Sequence, residues 1–415
     1  MKKIERDFIE LTKRAISCNY LDDSYFVDTD WNGVLELAHS NKLSAVLYDV
    51  VKVQNSVPED VRKKWDMERF ETFVKQKKHF HALMDLLKEM TSEGIEYALF
   101  KGLAIAEAYP NPDYRSSTDS DILVDEKDRP LVSSIIEKRG YIIVPEKCKD
   151  KVFVYFNENT GHIIELHTSI FEDYEGKKID VLKKAEIENP QKYICLSLAD
   201  EEFTTFGINE HLIYQFFHLI KHFILEGAGI RFFTDIVCFI KKNKDKIDSD
   251  YFWEWMEKCE YTEFCENFFA ICVEYFGMDS FILEGHDRKY NAAVLEELLV
   301  DFIYKGDEGK LRGKSWQLTT TLEPFFVGER QTVDKSKSGR IIHFIFPKPE
   351  ELNDSYFYAK KIPILLPVAW IHRIVKKIIW QIFLRKEESY TGIQKMEVVQ
   401  SRLGLLGKVG LLDEL

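Results

Sequence analysis

The feature that most constrains this chain is a short apolar run ending in lysine and glycine, followed by a second run that carries two aspartates. The first run reads Tyr-Ala-Leu-Phe-Lys-Gly at 97–102, and the second reads Asp-Ser-Asp-Ile-Leu-Val at 119–124. In a β-strand, residues two positions apart point to the same face of the sheet. Asp119 and Asp121 are therefore predicted to project side by side toward one point.

Two aspartates held this close together are a candidate metal site. Two like charges ~4 Å apart cost about 4 kcal/mol at an effective dielectric constant of about 20. A divalent cation between them removes that repulsion, and carboxylate oxygens are the ligands that Mg²⁺ prefers. Mg²⁺ or Mn²⁺ is therefore the expected ion, although an exposed strand can also carry two acids without one.

Residues near the pair add groups that suit phosphate recognition. Lys101 and Gly102 precede a short Ala-rich helix, where glycine lets the backbone approach a phosphate and lysine adds a positive charge. Arg115 suits triphosphate recognition, with a salt bridge to an aspartate as the equal alternative. Ser117 can hydrogen-bond a phosphate or cap the strand. The sequence thus predicts a nucleotide-binding set of Lys101, Gly102, Arg115 and Ser117.

A third carboxylate comes from the apolar run at 161–167. Glu165 stands inside this predicted strand, where an acid is costly unless it is paired or bound to a metal. With Asp119 and Asp121 it would complete the acids of metal-assisted phosphoryl or nucleotidyl transfer, holding a second ion or accepting a proton. Solvent exposure of Glu165 on an edge strand is the alternative. His167 is predicted to share its face of the sheet and to line the adjoining cleft.

The hydrophobic pattern divides the chain into four segments. Residues 1–91 have helical spacing, residues 92–190 alternate short strands with helices around a small sheet, and residues 191–310 return to helical spacing. Residues 311–415 are predicted to form a C-terminal loop and an amphipathic helical region.

Composition and charge exclude several classes of protein. The formal net charge of −13 argues against a broad nucleic-acid surface. The seven cysteines form no CxxC pair, which favours a reducing compartment. The charged N-terminus lacks the apolar core of a signal peptide. A cytoplasmic location is therefore expected.

The apolar segment 362–384 carries Arg373, Lys376 and Lys377 in its middle, which disfavours a membrane span. It is predicted either to pack on the protein as an amphipathic helix or to make weak contact with an anionic membrane surface.

These motifs together resemble the uncharacterised nucleotidyltransferase family of bacterial biosynthetic gene clusters, within the polymerase-beta-like nucleotidyltransferase superfamily. The superfamily pattern has a glycine at a strand–helix turn, an acid-x-acid pair on the next strand and a third acid on a later strand. Gly102, Asp119, Asp121 and Glu165 take those places. The resemblance implies an α+β fold, in which a small mixed-sheet nucleotidyltransferase core is flanked by N-terminal and C-terminal helical regions.

The resemblance also implies an activity and its partners. An NMP group would move from an NTP, with ATP as the leading expectation, to an acceptor hydroxyl or similar group, and pyrophosphate would leave. The acceptor stays open between a small molecule, a sugar, a peptide and a protein. Two alternatives remain: a metal-dependent glycosyltransferase that uses a nucleotide sugar, and a non-catalytic nucleotide-binding or scaffold protein.

A histidine stripe on the segment 209–225 is the last candidate feature. Its polar side chains recur at helical spacing: His211, Gln215, His218 and His222. We interpret His218 and His222, with Arg231 and Asp235, as lining a cleft opposite the sheet, where they would meet nucleotide or acceptor. The alternatives are a polar helix face or a zinc site on HxxxH, although no Glu follows His218 as in zinc proteases.

Overall fold

The structure is a computed structural model, and the residues it describes cover most of the chain up to Tyr304. The described residues are 1–22, 24–149, 151–171, 180–225, 227–286, 290–304, 358–359, 365–370, 372 and 404–411. The chain falls into two units, one formed by 1–328 with 402–415 and the other by 329–401. Most of the C-terminal region predicted over 311–415, including the basic residues Arg373, Lys376 and Lys377, lies outside the described residues.

Four helices form the N-terminal part of the first unit. They are α1 (Lys3–Ile16), α2 (Trp31–Ser40), α3 (Ser44–Val51) and α4 (Glu59–Ser92). The long helix α4 begins after Pro58, whose fixed φ suits a helix start, and it ends before Gly94, which has φ +73°. The helical pattern predicted for this region is confirmed.

A five-stranded mixed sheet follows the long helix. Its strands are β1 (Tyr97–Phe100), β2 (Asp119–Val124), β3 (Ile142–Ile143), β4 (Val152–Asn157) and β5 (His162–His167). They lie in the order β1-β2-β5-β4-β3. The central pair β2–β5 is parallel, whereas the other three pairs are antiparallel. Helix α5 (Gly102–Ala106) follows β1, and helix α6 (Arg129–Lys138) follows β2.

The two faces of the sheet pack against different partners. Leu99, Ile122 and Leu166 point to one face and share a core with residues of α4 and α6. Ala98, Phe100 and Leu123 point to the other face and join a larger core with the N-terminal and C-terminal helices. Strand periodicity sends alternate residues to opposite faces, so Asp119 and Asp121 belong to the second face.

A β-hairpin lies in the segment 191–310, which was predicted to be a helical domain. Strands β6 (Ile194–Leu198) and β7 (Glu201–Thr205) form a separate antiparallel pair. The residues between them, Ala199 and Asp200, have φ of +50° and +64°. The helical prediction was therefore wrong at these positions, where alternating side chains and a tight turn form a two-stranded sheet.

Five further α-helices follow the hairpin in the described residues up to Tyr304. They are α7 (Ile208–Leu225), α8 (Arg231–Asn243), α9 (Ser249–Lys258), α10 (Thr262–Phe276) and α11 (Ala292–Tyr304). Stacked aromatic rings fill their core. For example, the ring centroids of Phe233 and Phe268 lie 4.1 Å apart. Asn41 links them to the N-terminal helices, since its Oδ1 accepts from the Ile230 amide and its Nδ2 donates to the Ile303 carbonyl.

In the second unit, Ala359 and Ala369 are buried in a small cluster with Tyr358 and Leu366. None of the helices in the described part of the chain combines the length and the apolarity needed to cross a bilayer. The mixed sheet and its flanking helices agree with the predicted α+β fold.

Candidate functional site

Three side chains on the parallel pair β2–β5 form the centre of the candidate site. In the register of this pair, Asp121 lies opposite Glu165, and Leu123 lies opposite His167. Paired residues on neighbouring strands point to the same face, so these polar groups meet. Asp121, Glu165 and His167 each offer one ligand atom, and the three atoms lie within 4.8 Å of one another. We call these three residues the acid–histidine cluster.

The two carboxylates of the cluster differ in exposure. The Asp121 side chain is 2% exposed, whereas the Glu165 side chain is 29% exposed. A carboxylate as buried as Asp121 requires a compensating charge. The cluster thus contains one buried acid and a second acid that solvent or a substrate can reach.

Asp119, the first aspartate of the predicted pair, lies outside the cluster. It begins β2 opposite Ile163, and its Oδ1 accepts a hydrogen bond from the Ser117 hydroxyl at 3.1 Å. Among the described residues, the structure brings together two of the three predicted acids and adds His167 to them.

Lys101 faces the buried acid with a positive charge. Its Nζ lies 2.7 Å from Asp121 Oδ1. Burial alone would lower the pKa of Lys101, but the charge of Asp121, followed by Tyr214 and Glu165, raises it above its ordinary value. Burial likewise opposes ionisation of Asp121, yet the Lys101 charge and the hydrogen bond from His167 lower the pKa of Asp121 to about 2. Both partners of this pair are therefore charged at neutral pH.

His167 bridges the two acids of the cluster. Its Nε2 lies 3.2 Å from Asp121 Oδ1 and 3.6 Å from Glu165 Oε2. Burial alone would lower the pKa of His167, but hydrogen bonds with Asp121 and Glu165 raise it above its ordinary value. The sequence indicated His167 only as a cleft-lining residue. Its position two residues after Glu165 on the same strand was the signal that both side chains share one face.

The glycine turn brings the start of α5 against the start of β2. A Cβ atom on Gly102 would lie 3.3 Å from the Asp119 carbonyl oxygen and 3.5 Å from Ser117 Oγ. The first of these contacts is tighter than most side chains make, so glycine permits the close approach. Gly102, Ser117 and Asp119, all predicted site residues, therefore form one contiguous group.

Arg115 lies in a buried ion pair, which is the alternative that the sequence left open for it. Its Nε and Nη2 donate to the two oxygens of Asp235 at 2.7 and 2.8 Å. Its Nη1 donates to the Gly102 carbonyl at 2.8 Å, and the Tyr109 hydroxyl donates to Asp235 at 2.6 Å. Burial opposes ionisation of Asp235, but the Arg115 charge keeps its pKa below the ordinary value. The guanidinium that was predicted to bind phosphate is therefore hydrogen-bonded to Asp235 and to the Gly102 carbonyl.

Hydrogen bonds from two helices hold the loop before β2. Arg231, the first residue of α8, donates from Nη1 to the Ser116 carbonyl at 3.0 Å. Gln76 of α4 donates from Nε2 to the Ser117 carbonyl at 2.8 Å. Arg231 and Asp235, both predicted to line the cleft, therefore contact the loop that leads into the strand of the acids.

The histidine stripe of α7 is more buried than a polar helix face would be. His211 and Gln215 are 1% and 5% exposed, and burial lowers the pKa of His211 to about 3. The rings of His218 and His222 lie 4.4 Å apart. Burial, followed by the charge of Lys101, lowers the pKa of His218 well below its ordinary value. Neither His218 nor His222 takes part in a metal-binding group among the described residues.

A cavity opens beside the glycine turn. Its lining includes Gln76, His79, Gly102, Ser117 and Asp119. The lining does not include Asp121, Glu165 or His167. The chemistry of the donor set identifies the cluster as the better candidate for a metal ion, because carboxylate and imidazole groups are metal ligands.

Comparison with known proteins gives a family match and a similar solved structure. The model of a family described as uncharacterised nucleotidyltransferase matches residues 28–277, which is more than half of the 415-residue chain. One similar solved structure is an antigenic nucleotidyltransferase-like protein from Paracoccidioides brasiliensis. It is 13% identical with a TM-score of 0.31, over 48% of this chain and 94% of that one. No curated protein matches the sequence. On the extent of the family match, the chain belongs to the uncharacterised nucleotidyltransferase family.

Proposed function

We propose that this protein is a metal-dependent nucleotidyltransferase that moves an NMP group from an NTP to an acceptor hydroxyl or similar group. The observation that carries the proposal is the register of β2 and β5, which aligns Asp121 with Glu165 and adds His167. Such a donor set suits Mg²⁺ or Mn²⁺, because both ions favour carboxylate oxygens and Mn²⁺ also accepts imidazole nitrogen.

In this proposal Asp121 and Glu165 hold the ion, with Asp119 as a further acid from the same strand. A bound divalent ion would neutralise charge on the phosphates of the nucleotide. The position of Asp119 at the start of β2, next to Ser117 and Gly102, supports a role near the phosphate chain.

Residues of the glycine turn would hold the nucleotide. Lys101 offers a positive charge, Gly102 permits close backbone approach, and the Ser117 hydroxyl can donate to a phosphate oxygen. We assign Arg115 a positioning role instead of a phosphate contact, because it binds Asp235 and the Gly102 carbonyl. His218 and His222 would lie on the helix that faces this side of the sheet, where they would meet nucleotide or acceptor.

The transfer step needs a group that accepts the proton of the attacking hydroxyl. The acceptor oxygen forms a bond to the α-phosphorus, the bond from that phosphorus to the pyrophosphate oxygen breaks, and pyrophosphate leaves with its electron pair. Glu165 is the proposed proton acceptor, since its carboxylate is the more exposed acid of the cluster. The net charge of −13 supports an acceptor other than bulk nucleic acid, and a cytoplasmic location remains a prediction.

Pyrophosphate release from each of the four NTPs, with Mg²⁺ and with Mn²⁺, tests the proposal in the presence of candidate acceptors. A mass increment of one nucleotidyl group on an acceptor, lost in Asp121→Asn, is the expected result. Transfer of a sugar from a nucleotide sugar would favour the glycosyltransferase alternative. Nucleotide binding without any turnover would favour the non-catalytic one.

A further inference from the structure

We propose that Lys101 is an exchangeable internal cation, whose ammonium group neutralises Asp121 in the metal-free protein and is displaced when a divalent ion binds. This inference rests on the proposed function, because the acid–histidine cluster has to be the metal site. It adds a specific role for a residue of the glycine turn.

A divalent ion bound at Asp121 Oδ1 would compete with Lys101 and His167 for that carboxylate oxygen. The Nζ of Lys101 lies 2.7 Å from Asp121 Oδ1, and His167 Nε2 lies 3.2 Å from that same atom. An oxygen that already faces two donors has little capacity left for a third. An ion bound there would also lie beside the ammonium charge, which Coulomb repulsion opposes. The lysine therefore has to move before an ion can bind this oxygen.

The backbone of Lys101 is strained, which is an independent sign that this position has a functional role. Its φ of 57° and ψ of −137° lie in a region that side chains rarely adopt and that glycine adopts easily. Residues held in such conformations concentrate at active sites and switch regions. A backbone that favours glycine, occupied by a long cationic side chain, points to a use for the ammonium group.

The ammonium group also has freedom to leave the acid. The Lys101 side chain is 20% exposed, whereas that of Asp121 is 2% exposed. A lysine has a flexible four-carbon stem, so its end can move without a change in the backbone. The neighbouring Arg115 lacks this freedom, because three of its nitrogens donate to Asp235 and Gly102. Of these two cations, Lys101 is the one that can exchange.

Mn²⁺ titration of the full-length protein without nucleotide, followed by electron paramagnetic resonance of the free ion, tests the inference. Lys101→Met removes the competing charge at similar side-chain length. We expect its Mn²⁺ affinity to exceed that of the wild type by about 5- to 150-fold, the range typical of linked binding sites. In EDTA the variant should melt below the wild type, and Mn²⁺ should raise its melting temperature by a larger step.

Two further variants keep the test decisive. Lys101→Met with Asp121→Asn removes both charges, and it should fold in EDTA and lose the tight Mn²⁺ binding. If Lys101→Met alone does not fold in EDTA, recovery of folded protein on adding Mn²⁺, absent from the double variant, supports the inference. Lys88→Met removes an exposed pair with Glu201, and it should leave Mn²⁺ affinity unchanged.

The outcomes separate this inference from the proposed function. The inference is overturned if Lys101→Met binds Mn²⁺ no more tightly than the wild type does. If Asp121→Asn still loses the Mn²⁺ binding seen in the wild type, the proposed metal site stands. A wild-type protein that binds no Mn²⁺ through Asp121 overturns both.

Discussion

Two buried ion pairs flank Gly102, and they are built differently. Lys101 contacts Asp121 through one short ion pair, and the Lys101 side chain is 20% exposed. Arg115 meets Asp235 through two parallel hydrogen bonds, with both side chains less than one-tenth exposed. The first pair adjoins the other members of the acid–histidine cluster. The second pair is enclosed by the protein.

This difference implies different roles. In our proposal the Lys101–Asp121 pair exchanges its cation, and the Arg115–Asp235 pair fixes local geometry. A bidentate guanidinium–carboxylate pair holds both partners in one orientation. Because Arg115 also donates to the Gly102 carbonyl, it fixes the turn that carries Lys101. Changes at the first pair are therefore expected to alter metal binding and catalysis, and changes at the second pair are expected to alter stability.

The largest expected effect follows Asp121→Asn. The change removes the buried acid that we propose to hold the ion, so transfer should fall by at least about a thousandfold, equivalent to about 4 kcal/mol of barrier. Pyrophosphate release per folded molecule is the measurement. Asp125→Asn, just after the same strand and in an exposed pair with Lys127, is the matched control and should keep activity. Turnover near the wild-type rate in Asp121→Asn would remove the metal assignment.

Asp235→Asn should affect mainly stability. Breaking a buried pair by removing one partner's charge costs about 3–5 kcal/mol, because Arg115 stays buried without its counter-ion. Denaturant unfolding measures the loss. Asp279→Asn, which weakens an exposed pair with Lys244, should cost far less, because solvent screens that pair. Equal losses in the two variants would contradict the distinction between the enclosed pair and an ordinary surface pair.

Acid pH should distinguish the contribution of the ion pairs from that of His162, a buried histidine at the start of β5. His162 hydrogen-bonds to Ser120 and Tyr141, and burial lowers its pKa to about 3. The unfolded histidine titrates near pH 6.5. Between these values the unfolded state binds a proton that the native state does not, so His162 stabilises the fold above pH 6.5. That stability is lost as pH falls, at about 1.4 kcal/mol per pH unit.

Unfolding free energies measured from pH 7 to pH 4 test this expectation. His162→Gln removes the titrating group and should give a flatter profile over that range. The carboxylate of Asp121, with a pKa of about 2, keeps its contribution until lower pH, since the contribution of an acid with a lowered pKa is present above its unfolded value. A profile that is equally steep in both proteins would assign the acid sensitivity to other groups.

Gly102→Ala should have the smallest effect on stability. The added Cβ would lie 3.3 Å from the Asp119 carbonyl oxygen, a crowded contact that a shift of a few tenths of an ångström relieves. We expect the free energy of unfolding to change by less than about 1 kcal/mol. Transfer activity should fall clearly even though stability changes little, because the turn and the start of β2 would move apart. Unchanged activity would show that this contact does not position the site.

Much of the central fold could be predicted from local sequence pattern. The apolar run of β1 and the long amphipathic pattern of α4 are strong local signals, and Gly94 marks the helix end through its positive φ. The hairpin β6–β7 gave a weaker signal. Its turn uses Ala199 and Asp200 in left-handed conformations, without the glycine that usually announces such a turn.

The candidate site was predictable where strand periodicity decides it. Asp121 and Glu165 were both identified, since a carboxylate in an apolar strand is conspicuous. Their exact register, and the inclusion of His167 in place of Asp119, depends on how β2 and β5 align. The partner of Arg115 could not be predicted, because Asp235 lies on a helix remote in sequence and only tertiary packing brings the two together.

Binding of a divalent ion by the acid–histidine cluster is the property on which the proposed function depends most. Anomalous diffraction at the manganese edge, from crystals of the protein grown with Mn²⁺ and a non-hydrolysable NTP, tests it most directly. We expect a peak within bonding distance of carboxylate oxygens of Asp121 and Glu165. Manganese bound elsewhere, with Asp121 still paired to Lys101, would contradict it.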